Sequence, residues 1–488
     1  MKKRILAAAV AAAAVLSLAG CNGSNNSTSS TTSKPATSGT SSAATSSAAT
    51  SGATSTATSD ATSGTTSDTT SKTDYVAPEL KDDGAQLTIM TWTSNSDTKN
   101  MVKLFCQEKG YDESKVVVAE CGAEGEDARE GYKKRILETD EDSDLYVCDA
   151  DWIANYTNDD SLSVGMEALG LSKADFPDAY AYTLSFGTND AGVFKAPTFQ
   201  ATPGGFVYRS DLAEQYLGVK TPDEMQALIS DWDKFQEAGK TVAEKSEGKC
   251  SLQATEGGLW QVFQSNRTQP WVVDGKLVMD NAENFYDIVK GMLDDKTLAN
   301  VPQWDNAWYA AIQDGTAMGD FVPTWGLANN GTSILNNFTG GAEKADNMAI
   351  CAGPTGWFWG GSYFGVSPKC DNKTLAKEFI EFYCKNADSM KKYAEQTGDF
   401  VNNKKVIEEL SATMSHPLLN GQNHYAVLTQ VLDKLDLEGK ITKYDSVIKG
   451  KFNDSVNALL KGEVADKAAA ITKFKTEVGG AIGDITVE

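Results

Sequence analysis

Between Leu87 and Trp152 the chain switches repeatedly between two hydrophobic periods, and no other feature limits its fold as strongly. Leu87-Thr88-Ile89-Met90-Thr91-Trp92 is rich in β-prone residues and predicts a strand. Asp97 to Lys109 follows with Met101, Leu104 and Phe105 at helical spacing. Val116-Val117-Val118 predicts a second strand and Asp127 to Leu137 a charged helix. Leu145-Tyr146-Val147-Cys148 predicts a third strand, which runs into Asp149-Ala150-Asp151-Trp152. Strands that alternate with helices build a mostly parallel sheet. Ligands of such sheets sit outside the carboxyl ends of the strands, where Trp92 and Asp151-Trp152 fall.

The stretch from Asp74 onward is roughly 415 residues long, beyond the ~250–300 that one core usually serves, so two lobes are the simplest division. The segment before it reads differently. Met1-Lys2-Lys3-Arg4, an apolar run from Ile5 to Leu18, and Leu18-Ala19-Gly20-Cys21 make a lipoprotein export signal over residues 1–20. The run is shorter than the ~20 residues of a membrane helix. Cys21 is the expected lipidation site, its thiol acylated (palmitate among the chains), with more than one chain to hold the protein on the outer face of the cell membrane. Residues 21–73 are almost entirely Ser, Thr, Ala, Gly and Asn, a composition with no apolar content to offset ordering entropy. They predict a tether with a reach on the order of 40 Å.

The formal charge of the whole chain is −23. Because the first 73 residues are net basic, the body is more acidic still. Such a surface argues against nucleic acid and anionic lipid as partners. Seven cysteines remain after Cys21, widely spaced and with no CxxC pair, which disfavours zinc and thioredoxin-type chemistry. Several read as small buried hydrophobes, and no pairing follows from spacing. His416 and His424 are the only histidines, too few for a histidine metal centre or a Ser-His-Asp triad. No metal site, catalytic residue or cofactor is expected.

Further along, Thr202-Pro203-Gly204-Gly205 leads into a strand at Phe206-Val207-Tyr208, and this punctuated segment reads as a crossing between lobes. Thr221-Pro222-Asp223-Glu224 is a helix start with a capping box. Met225, Leu228, Ile229 and Trp232 continue it as one apolar stripe. Thr374 to Lys385 is a helix whose Leu375, Phe379, Phe382 and Tyr383 face a core.

The order of these landmarks resembles the family 1 extracellular solute-binding proteins, the group that includes maltose-binding protein. The residues that carry the resemblance run from Leu87 to the C-terminus. They include Pro203-Gly204-Gly205-Phe206-Val207-Tyr208-Arg209-Ser210-Asp211-Leu212, Asp314-Gly315-Thr316-Ala317-Met318-Gly319-Asp320, Val322-Pro323-Thr324-Trp325 and Gly360-Gly361-Ser362-Tyr363-Phe364-Gly365-Val366. The resemblance implies an α/β, periplasmic-binding-protein type II fold: two discontinuous lobes, a hinge, and a ligand cleft between them. It places residues 74–200 plus about 364–402 in lobe 1 and about 204–354 plus about 403–488 in lobe 2. Crossings fall near Thr198 to Gly204, Pro354 to Phe364 and Phe400 to Lys404. It also implies a carbohydrate ligand and the permease subunits of an ABC transporter as partners; the several aromatic plates named below favour an oligosaccharide.

A pyranose calls for aromatic plates against its C–H face and for polar groups around its hydroxyl rim. Trp92 and Trp152 stand at strand ends, and Trp357, Trp359 and Tyr363 in the glycine-rich crossing, outside any amphipathic stripe; Trp325, after Val322-Pro323-Thr324, resembles the family's sugar-stacking Trp at a strand end. Trp260 is carried over from the family's cleft aromatic. Gln200, Asp399 and Tyr425 are carried over by position. Asp151 is a polar contact or the cap of the next helix. Trp271, Trp304 and Trp308 are left to core or surface. Two rivals share these features: a lipid-anchored glycoside hydrolase, which needs two carboxylates about 5–9.5 Å apart, and a receptor of the same fold for a polyamine or peptide. The expected outcome of Trp357→Ala or Trp325→Ala is severe loss of sugar binding with thermal unfolding nearly unmoved, read by calorimetry beside a melting curve.

Overall fold

The computed structural model describes residues 75–488 apart from 94, 329–332, 433, 434, 436 and 438. The export signal, Cys21 and the tether lie outside the described residues. The chain divides into Met1–Asp68 and Thr69–Glu488, and the described residues belong to the second unit.

That unit is built on two four-stranded sheets, with a short hairpin besides. In chain order the strands are β1 (Leu87–Thr91), β2 (Val116–Glu120), β3 (Leu145–Asp149), β4 (Gly204–Arg209), β5 (Ser251–Gln253), β6 (Val272–Val273), β7 (Lys276–Leu277), β8 (Ala317–Pro323), β9 (Met348–Cys351) and β10 (Ser362–Val366). The first sheet has the order β10-β3-β1-β2 and the second β5-β8-β4-β9. In the first, β1 pairs in parallel with β2 and β3, as its alternation with helices requires, while β10 returns antiparallel with Ser362 opposite Asp149. All five residues of β1 are buried, so this strand is covered on both faces.

Local chemistry accounts for the elements. The helix Ser96–Lys109 starts where the Asn95 side chain accepts from Thr98 N and stops at Gly110, whose φ of 68° suits glycine. The helix Pro222–Leu228 opens on a reciprocal capping box between Thr221 and Glu224. It ends earlier than the apolar stripe suggests: Asp231 caps a separate helix, Trp232–Lys245, and Trp232 packs on Phe263 with centroids 4.6 Å apart. A competing cap thus overrides a continuous hydrophobic period.

Side chains of the second sheet alternate between two cores. Phe206 and Tyr208 join one with Ala349 and Cys351, and Val207 joins the other with Met348 and Ile350. The first of these cores includes Trp260, Trp271, Phe285 and Phe452; Trp260 stacks on Phe452 at 4.4 Å.

The sheets are joined where three segments lie side by side. Isolated bridges pair Thr198 with Tyr363, Gln200 with Val401 and Pro203 with Phe358. Backbone hydrogen bonds between them run from Phe364 N to Pro197 O (2.8 Å), Ala201 N to Phe400 O (3.0 Å), Asn402 N to Phe199 O (2.8 Å) and Trp359 N to Thr202 O (3.0 Å).

The seven described cysteines are free thiols, all but Cys121 buried. Both histidines are buried with their rings 5.1 Å apart; burial holds each below the usual imidazole value, His424 down to about 3. Among the described residues no helix is long and apolar enough to cross a membrane.

Glu256 opens the helix Glu256–Gln264 from a buried position, its Oε1 without a hydrogen-bond partner. Burial raises its carboxyl to about 7. The native state therefore keeps a proton that the unfolded chain releases near pH 4.3. The resulting stability is present below about pH 4 and is lost as pH rises through about 7. Glu256→Gln is expected to melt a few degrees above the native protein at pH 8, a gain that shrinks toward pH 4; an equal gain at both ends rejects this account.

Candidate functional site

A cleft of about 620 Å³ opens at the carboxyl ends of the first sheet's parallel strands. Each strand end delivers a wall residue: Trp92 follows β1, Glu124 lies beyond β2, and Asp149 closes β3. Asn95, Ser96 and Asp97 add the first turn of the helix after β1. The second sheet supplies Trp325, in the short helix Thr324–Leu327 directly after β8, with Trp304 and Tyr309 beside it. The crossing segments contribute Gln200 and Trp359 to Ser362. A hollow of about 650 Å³ elsewhere is lined by charged side chains that pair with each other, such as Lys392 with Glu108 at 2.5 Å, and it has a single aromatic, Phe382.

Three indoles form one wall. Trp304 lies nearly parallel to Trp325, with centroids 6.0 Å apart and planes 14° apart; Trp359 meets Trp325 at 5.3 Å and 71°. Trp325 Nε1 donates to Trp359 O at 2.9 Å, which holds two of the three in register. Trp304 is 53% exposed and sits at a φ of 72°. It rests on the buried Trp308, whose indole N–H donates to Asp320 at 2.7 Å. An indole that open leaves apolar area in water that a ligand would cover.

Gln200 lines the cleft with both ends of its amide committed: Oε1 accepts from Ser362 N at 3.0 Å, and Nε2 donates to Asp399. Asp399 is buried and does not line the cleft. Burial pushes it up to about 6, against the hydrogen bond from Gln200. Its role is to orient that amide. Tyr425, also fully buried, donates to Asp399 O at 2.9 Å and so holds the backbone of the third crossing segment.

The cleft carboxyls are shifted together. Burial raises Asp97, outweighing its place in the first turn of a helix. It raises Glu124 as well, with the Asp151 charge second. Asp149 stands well above the usual range through burial, again with Asp151 second.

The structure brings Trp92, Gln200, Trp325 and Trp359 into the cleft and leaves the other sequence candidates out of its lining. Trp357 is fully buried and packs edge-on against Phe321; Gly204 leaves the slot it fills, since a Cβ there would stand 2.1 Å from the indole. Trp260 stays in the core against Phe452 because its helix turns it inward. Trp152 is buried against Tyr132 and Tyr156. Tyr363 is buried within β10. Asp151 neither lines the cleft nor caps a helix: its carboxylate pairs with Lys449 at 2.7 Å. Sequence reasoning missed Trp304, Asp97, Glu124, Asp149 and Tyr309. Trp304 had a signal, an indole in the polar, aperiodic stretch after Pro302. Among the described residues no cluster of metal-ligating side chains occurs.

The family of bacterial extracellular solute-binding proteins matches residues 115–418 of the chain. No curated protein matches it in sequence. Solved structures share its fold. A family 1 extracellular solute-binding protein superposes with a TM-score of 0.69 at 16% identity, over 82% of this chain and 100% of the other. The transporter-associated binding protein of B. animalis subsp. lactis Bl-04, in complex with β-1,6-galactobiose, gives 0.63 at 17% identity, over 81% and 97%. The galacto-N-biose/lacto-N-biose I-binding protein of Bifidobacterium longum, in complex with lacto-N-biose, gives 0.62 at 16%, over 83% and 100%.

The placement of the tryptophans separates two classes of substitution. Trp357→Ala is expected to cost about 3–5 kcal/mol of stability through the cavity it leaves, seen as a lowered urea midpoint. Trp304→Ala and Trp325→Ala, at the cleft wall, should each leave the midpoint within about 1 kcal/mol of the native value. The opposite ranking contradicts this packing.

Proposed function

We propose, since the chain belongs to the bacterial extracellular solute-binding protein family, that it captures an oligosaccharide and hands it unaltered to the permease of an ABC transporter. The observation that carries the reading is the wall of Trp304, Trp325 and Trp359 in a cleft that also holds Trp92. Indole faces suit the C–H faces of successive sugar rings, and convergent polar groups suit their hydroxyls. Two of the structural neighbours are described in complex with disaccharides, which supports the same ligand class here. The cleft volume lies within the ~300–1,000 Å³ typical of small-molecule sites.

Closure follows as a hinge motion. We take residues 74–200 with about 364–402 as one lobe and about 204–354 with about 403–488 as the other, the hinge being the three crossing segments. Trp92, Asp97, Glu124 and Asp149 then sit on the first lobe, and Trp304 and Trp325 on the second. A ligand touching both favours the closed form by its differential affinity. Beside the cleft, Lys449 reaches Asp151, Arg129 reaches Ser446 Oγ (3.4 Å) and Asn155 reaches Lys443 O (3.2 Å). These contacts tie the two lobes on one side. Cys21 anchors the protein to the extracytoplasmic face of the membrane, the tether carrying the body.

Calorimetry with an oligosaccharide panel, paired with product analysis of the same mixtures, tests the reading. Saturable binding with intact ligand is expected, weakened at least tenfold in Trp325→Ala. Released sugars point to a hydrolase instead, and binding by peptides or simple polyamines alone to another receptor class. Asp151→Asn should enlarge the ligand-free radius of gyration in X-ray scattering by loosening the Lys449 tie; an unchanged radius removes that tie from the closure mechanism. Labelling with palmitate that survives Cys21→Ala would remove the anchor.

A further inference from the structure

The cleft is distinguished by the sign of its charge. Both of its amides are oriented by bonds to the protein itself. Asn95 Nδ2 donates to Thr91 Oγ1 at 2.9 Å while its oxygen accepts from Thr98 N at 3.0 Å. Gln200 is spent at both ends on Ser362 N and Asp399. The Trp325 N–H is spent on Trp359 O. The charged side chains of the described lining are three carboxyls, Asp97, Glu124 and Asp149, and it contains no lysine, arginine or histidine. An ionised carboxylate accepts and does not donate. The wall of indoles adds negative π-faces to the same space.

We propose that the carbohydrate taken into this cleft carries a protonated amine, with Asp97, Glu124 and Asp149 as its counter-charges and the indoles of Trp304, Trp325 and Trp359 as the faces it lies against. The inference rests on the sugar-binding reading and narrows it. A neutral sugar finds donors here as well, in the indole N–H groups and hydroxyls of the lining, but it leaves the three carboxyls without a counter-charge. A cation over indole faces gains a further attraction that a hydroxyl does not. Lys449, whose charge acts on Asp149, is 10% exposed and turned to Asp151 and Asp445, at 2.7 and 3.9 Å. Its charge also reaches Asp149, while the described lining offers no cation to Asp97 or Glu124.

The titration of the cleft agrees. Asp149 faces Asp151 and Glu124, with Lys449 opposing them; Glu124 faces Asp151; Asp97 faces Asp399 and, beside it, Tyr393. All three cleft carboxyls are held above their ordinary range by burial. A bound cation lowers them again. Where a cleft carboxyl still holds its proton, amine binding therefore releases it, and affinity rises with pH as these carboxyls ionise.

The test is calorimetry on the purified protein at pH 7 with di- and trisaccharides of glucosamine and of glucose in matched linkages. The amine forms are expected to bind roughly tenfold or more tightly than the hydroxyl forms at low salt, with the advantage narrowing as salt screens it. Asp97→Asn combined with Glu124→Gln should bring the ratio toward one, with Asp149→Asn measured separately because its carboxylate also accepts from Asp151 N. Melting curves show that the variants fold. Hydroxyl forms that bind as well as amine forms overturn this inference and leave the sugar reading standing. Failure of every saccharide of both kinds rejects both. Spermidine binding as tightly as the best amine saccharide rejects the carbohydrate part.

Discussion

The short ladder that links residues 197–204 to 357–364 and 399–403 is the constraint on which the rest of the structure depends. Apart from Gly204 and Ser362 to Phe364, which begin β4 and β10, these residues belong to no extended sheet, yet they carry buried backbone groups that must be paired. Pairing them with each other solves that requirement and fixes where the two sheets stand at this seam. It also places Gln200, Trp359 and Gly360 to Ser362 in the floor of the cleft. The same hydrogen bonds that join the body thus help to build its site.

Second in importance is the partition of aromatic side chains. Packed indoles and phenyl rings supply much of the apolar burial in both cores, as the Trp260–Phe452 stack and the cluster around Phe206, Phe235 and Phe321 show. The cleft uses the same residue type differently. Trp304 stands on Trp308 and beside Trp325, so its orientation is set by rigid neighbours while one face stays open. Fixing an indole before the ligand arrives reduces the ordering cost of binding. The buried carboxylate of Asp320, which accepts from Trp308, Thr255 and Gln253, anchors the pedestal.

Charge divides in a similar way. Acidic residues on the surface, such as Glu214 and Asp295, form ion pairs worth little individually. Those at the cleft are different: burial acts on all three, neighbouring acid charges add to it at Glu124 and Asp149, and Asp151 beside them pairs with Lys449 of the helix Asp445–Leu460. Ligand electrostatics and lobe contact are therefore neighbours in space.

Much of the architecture was legible in the amino-acid order. Alternating periods from Leu87 to Asp149 specify parallel strands and their helices because burial on one face or two imposes those periods. Its strand end identified Trp92 as a wall residue, the family resemblance pointed to Trp325, and the aperiodic position of Trp359 marked it as well. Which of two nearby tryptophans faces the ligand was decided only in three dimensions. Trp357 and Trp359 share one glycine-rich stretch, yet Trp357 drops into the slot that Gly204 leaves on a distant strand, while Trp359 rests on Trp325. The carboxyls of the cleft were equally hidden. Asp97, Glu124 and Asp149 are remote in sequence, and nothing in their local context separates them from the other acidic residues. Periodicity encodes what a residue's own element needs; proximity across elements arises only when the chain closes on itself.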